Sequence, residues 1–141
     1  MPVVPSPLGI LPFAAIKLAG YTLAAGSIER AYAREAGPPV SAQPMVMPLL
    51  FGFVRTVLGI ASGTALTIAI AVFGIGNASL FALMLPIRFG EWLLLVWWFY
   101  ERRHPRGLAV QQAFLGTLWS FLLDVPAWAA WWFTPGRFYW C

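Results

Sequence analysis

From Thr56 to Ile87 the chain carries no charged side chain. A helix needs about 20 apolar residues to cross the hydrocarbon core of a bilayer, so this run is long enough for one crossing and the start of another. The rest of the composition agrees. Charged residues make up only 10% of the 141 residues and hydrophobic ones 60%, whereas a soluble domain carries about 25% charged residues. The sequence reads as an integral membrane protein.

Four apolar segments are expected to be helical, at about 8–28, 48–75, 79–100 and 107–133, giving an all-α bundle of four transmembrane helices in a single domain over 1–141. Pro86 and Pro126 fall inside the third and fourth segments, where a missing amide donor predicts kinks. The N-terminal segment lacks a basic leader and holds Pro5, Pro7, Pro12 and Lys17. That is the pattern of a retained first helix and not of a signal peptide.

Arg30 and Arg34 lie in the first loop (29–47), and Arg102, Arg103 and Arg106 in the third (101–106). With four crossings these loops share one side, and the positive-inside rule makes it the cytoplasm, with both termini outside. A multi-pass protein of the bacterial inner membrane is expected. Trp97, Trp98, Phe99 and Tyr100 read as an aromatic belt at the cytoplasmic surface, and Trp128, Trp131 and Trp132 as its outer counterpart.

Several chemistries are excluded. One cysteine, Cys141, and one histidine, His104, allow neither an internal disulfide nor a His/Cys zinc site or bis-histidine haem within one chain. No metal and no cofactor are expected. The net charge of +4 comes from arginines at segment ends, where anionic lipid headgroups account for them and nucleic acid does not.

The charges inside the segments carry the functional signal. At the rise of a helix, Arg88 lies roughly 13 Å and Glu91 roughly 18 Å from the outer boundary, Asp124 roughly 13 Å and Lys17 roughly 8 to 13 Å. Four ionisable groups from three helices thus fall at a similar depth, and their charges cancel. A lone charge near the bilayer centre costs at least about 2.5 kcal/mol, so a shared network is expected, with Arg88 and Glu91 able to pair directly at i,i+3. Gln112, Gly116, Ser120 and Asp124 recur every four residues and form one polar, small stripe. Tyr21 follows Lys17 by one turn. Gly52, Gly59 and Gly63 share a face and suggest close helix packing, within the chain or between copies. Arg55, on that face, reads as an anchor that snorkels to the cytoplasmic surface.

These residues predict a polar cavity in the outer half, with Lys17, Tyr21, Arg88, Glu91, Ser120 and Asp124 as candidate ligand-binding residues. Three functions stay open. The first is binding or transport of an amphipathic or lipid-like small molecule. The second is an accessory subunit of a larger membrane complex. The third is an enzyme on a lipid-like substrate, with Glu91 or Asp124 as the candidate catalytic acid or base. A homo-oligomer or a partner membrane subunit is compatible with each.

Overall fold

The structure is a computed structural model that describes residues 3–4, 10–36, 46–74, 77–103, 105, 107–133 and 138–139. Four long helices dominate it: α1 (Ile10–Ala36), α2 (Val46–Phe73), α3 (Asn77–Val96) and α4 (Ala109–Phe133), with a π-helical turn at Trp97–Glu101 continuing α3. Two short strands, β1 (Val3–Val4) and β2 (Phe138–Tyr139), form an antiparallel pair. Three stretches, Ile10–Glu35, Val46–Leu66 and Ala82–Glu101, are long and apolar enough to cross a membrane.

Cross-helix contacts define an up-down-up-down bundle. Between α1 and α2, Gly52 lies against the backbone of Thr22. Between α2 and α3, Phe51 meets Phe99 and Tyr100 with ring centroids 5.5 and 5.9 Å apart. Between α3 and α4, Trp92 seats on Gly116 and Arg88 reaches Asp124. Between α4 and α1, Trp119 donates its indole N–H to the carbonyl of Gly20 at 2.9 Å. Short links between consecutive helices force this antiparallel order. Gly74, with φ +64°, ends α2 in the left-handed conformation that a side chain would resist.

The two halves of the bundle are packed differently. Where α1 and α3 end, Tyr21, Ile28, Tyr32, Phe51, Trp92, Leu95, Val96 and Tyr100 interlock as a buried aromatic core. Leu23, Phe53, Val57, Leu94, Leu118 and Leu122 point outward on the helix flanks, as lipid-facing residues would. The other half, where α1 and α3 begin, encloses the cavity described below.

Three sequence expectations are corrected. The first helix runs to Ala36, not to about 28, because "ERAYAREA" combines strong helix formers with Ile28 and Tyr32, whose side chains are buried in the core. The third helix does not stay α-helical to residue 100. Arg102 donates its amide to the carbonyl of Trp97, five residues back, at 2.8 Å. That extra residue turns Tyr100 inward, out of the expected belt. It stacks on Tyr32 with centroids 5.6 Å apart and donates to the carbonyl of Ala25 at 3.2 Å, while Trp97 and Trp98 remain exposed. Pro86 and Pro126 lie inside α3 and α4, as the sequence placed them. The expected outer belt (Trp128, Trp131, Trp132) rests on side chains outside the described residues, as do His104, Arg106, Cys141 and the loop 37–45.

Candidate functional site

Lys17 leaves α1 and Arg88 leaves α3 toward the same carboxylate, Asp124 on α4. Lys17 Nζ pairs with Oδ1, and Arg88 Nη1 lies 2.5 Å from Oδ2. Lys17, only 5% exposed, also reaches the carbonyl of Ser120 at 3.4 Å and the Tyr21 hydroxyl at 3.5 Å. Arg88 is further held over the ring of Phe121, 4.6 Å from its centroid. One carboxylate therefore bridges two cations from two other helices, which offsets the cost of removing all three from water.

Glu91 does not pair with Arg88. Three residues along a helix rotate a side chain by about 60° around the axis, and here that sends Arg88 toward α4 and Glu91 toward α2. The partner of Glu91 is Arg55, whose Nη1 lies 2.8 Å from Oε2. Arg55 is 1% exposed and is no snorkelling anchor. Its side chain runs along α2 past Gly59, where an added Cβ would stand 3.0 Å from Nη1. Its guanidinium is held 5.0 Å from the Tyr21 ring centroid and 5.5 Å from that of Trp92. Such contacts contribute about 0.5 to 2 kcal/mol each when desolvated.

The Arg55–Glu91 contact is an ion pair by distance, but its N–H is not aligned with the acceptor. Among the described residues, Arg55 Nε and Nη1 and Glu91 Oε2 complete no hydrogen bond. Only Nη2 makes one, a long bond of 3.5 Å to the Ser120 hydroxyl. A buried guanidinium with unused donors is uncommon, since such groups lose their hydration without replacement.

These charges line a cavity of about 260 Å³. Lys17, Tyr21, Arg55, Arg88 and Glu91 line it together with Asp124. Toward the ends of α1 and α3 where these helices begin, the lining is mostly apolar, with Ile10, Phe13, Met84 and Ile87, joined from α2 by Leu66 and the hydroxyl residues Ser62 and Thr64. Gly59 and Gly63 also line it, and a Cβ at Gly63 would meet nothing within 4 Å. Of the three glycines expected to pack helices, Gly52 closes a contact with Thr22 of α1 within the chain. The other two leave room for Arg55 and for the cavity. No protein-family model, curated protein or solved structure matches this chain. The functional reading rests on the cavity itself.

Ser120 differs from its expected place. It is fully buried behind the cavity wall, where its hydroxyl accepts from the indole N–H of Trp92 at 2.8 Å and from Arg55. It positions those two side chains and is not among the residues that line this cavity. Sequence reasoning missed Arg55 and Trp92 as members of the site. The available signal was the small residue beside each: Gly59 one turn after Arg55, and Gly116 facing Trp92.

Proposed function

We propose that this protein binds or transports an amphipathic or lipid-like small molecule in the cavity between α1, α2 and α3, which Asp124 of α4 also lines. The observation that carries the reading is that a single cavity is lined by charged side chains around Asp124 and mostly by apolar ones where α1 and α3 begin. Its volume of about 260 Å³ falls just below the roughly 300 to 1,000 Å³ of sites that enclose a whole drug-sized ligand. It suits a headgroup with the first part of a tail, the remainder lying against the lipid-facing surface. Intramembrane charges collected on one wall are the usual mark of such a pathway.

In this reading α4 is a fourth crossing. It spans 25 residues, turns Leu118, Leu122 and Val125 outward, and directs Asp124 to Lys17 and Arg88. The arginines at 30, 34, 102 and 103 then favour a bacterial inner-membrane protein with the cavity in the outer half and both termini outside.

The test is Asp124→Asn. The amide keeps the size of the carboxylate but leaves Lys17 and Arg88 without their shared counter-charge. Lipids retained through purification in a neutral detergent should be lost from the variant, as read by mass spectrometry, while its helical circular dichroism persists. Full retention of the same lipids by Asp124→Asn would refute the site. Retention of a second polypeptide and no lipid by the wild type would favour the accessory-subunit function.

A further inference from the structure

We infer that the cavity selects an anionic headgroup, a carboxylate or a phosphate ester, and that Arg55 is the residue that reads it. This rests on the amphiphile-binding reading above and specifies its ligand class. Among the described residues, five formally charged side chains line the cavity: the cations Lys17, Arg55 and Arg88 and the carboxylates Glu91 and Asp124. Three against two leaves one positive charge over. In a site with little water that excess favours a monoanion and opposes an ammonium head, because burial strengthens the field of an uncompensated charge.

The excess charge belongs to the Asp124 group, where one carboxylate meets both Lys17 and Arg88, with Arg88 at 2.5 Å; the unused donors belong to Arg55. Glu91 faces Arg55 at 2.8 Å but off the hydrogen-bonding line, so Arg55 Nε and Nη1 meet no aligned acceptor among the described residues. Arg55 is 1% exposed and cannot swing out to water to satisfy them. Its guanidinium is pinned against Tyr21 and Trp92, which fixes its plane before a ligand arrives. A planar fork held in place with unused donors is suited to the two oxygens of a carboxylate or phosphate. Glu91 Oε2, also without a hydrogen bond among the described residues, can take a water or a hydroxyl of the same headgroup.

The lining also suits a tail. Ile10, Phe13, Leu66, Met84 and Ile87 line the cavity beside its charged residues, so an anion without a tail gains only the electrostatic part of the binding, whereas an amphiphile also buries its first methylenes.

The experiment uses the full chain, purified in a neutral maltoside, and direct binding of four radiolabelled probes with one tail: oleate, oleyl phosphate, oleyl alcohol and oleylamine. Acetate and inorganic phosphate are the tail-less competitors. Oleate or oleyl phosphate should bind at least about tenfold more tightly than oleyl alcohol, a difference of about 1.4 kcal/mol. Acetate and phosphate should compete only at far higher concentration. Arg55→Gln should bring the anion and alcohol affinities together. Glu91→Gln, which frees the arginine of its only carboxylate, should widen the gap, and a purely structural role for the pair would not move it in that direction. Arg55→Lys, keeping the charge without the fork, should retain part of the preference and serves if Arg55→Gln does not fold. Equal binding of anion and alcohol by the wild type, or tighter binding of oleylamine, overturns the anion assignment and leaves amphiphile binding standing. Saturable binding of none of the tailed probes overturns the amphiphile reading itself. Displacement by acetate or phosphate at oleate-like concentrations overturns the tailed ligand and identifies a small free anion instead.

Discussion

The pairing of Glu91 with Arg55, and not with its helix neighbour Arg88, can be measured as a coupling free energy. Across 2.8 Å the gross attraction between unit charges at an effective dielectric of 20 is about 6 kcal/mol. Most of that offsets desolvation of two nearly buried groups, and the misaligned N–H removes the directional part, so the net coupling is far smaller. Double-mutant cycles on contacting pairs give about 0.5 to 3 kcal/mol, and the deep burial of Arg55 places this pair in the upper part of that range, at about 2 kcal/mol. Arg55→Met and Glu91→Gln, singly and together, should show it in SDS-titrated equilibrium unfolding from mixed micelles, followed by near-ultraviolet circular dichroism. The two single substitutions should together destabilise more than the double does, since each single leaves the other charge buried alone. The matching cycle between Arg88 and Glu91 should give less than about 0.5 kcal/mol, the scatter expected of uncoupled sites. A coupling at Arg88–Glu91 equal to or greater than that at Arg55–Glu91 would refute the pairing and the charge assignment built on it.

Two further outcomes are expected. Gly116→Ala should destabilise the bundle by about 1 to 3 kcal/mol, because the new methyl would fall inside the Trp92 ring; that ring is held by the Ser120 hydroxyl and flanked by Tyr21 and Phe51. A stability unchanged in the same unfolding assay would mean that α3 and α4 do not approach this closely. For orientation, Arg103→Cys in a Cys141→Ser background should be protected from an impermeant maleimide in intact cells, and Asn77→Cys should react; the reverse pattern would invert the proposed topology.

The apolar stretches long enough to cross a membrane and the approximate positions of the helices were legible in the sequence, because both follow from local quantities. A charge-free run longer than a bilayer crossing has few other uses. The regular rise of a helix also converts position along the chain into height, which is why Lys17, Arg88, Glu91 and Asp124 could be assigned to neighbouring levels before any contact was known. Which cation meets which carboxylate is a different kind of quantity. It depends on the direction each side chain takes around its helix and on what stands opposite, and only the packed bundle sets these. Counting residues placed the Arg55 backbone near the cytoplasmic end, but its long side chain runs past Gly59 toward Glu91. Ser120 shares the stripe of Asp124, yet the packing of Trp92 onto Gly116 closes it off from the cavity. The π-helical turn that brings Tyr100 inward has no local signature either; it is held by tertiary bonds, from Tyr100 to Ala25 and from Tyr32 to Glu101 at 2.5 Å. Depth follows from the order of residues along one helix, whereas partnership requires the neighbouring helices to be in place.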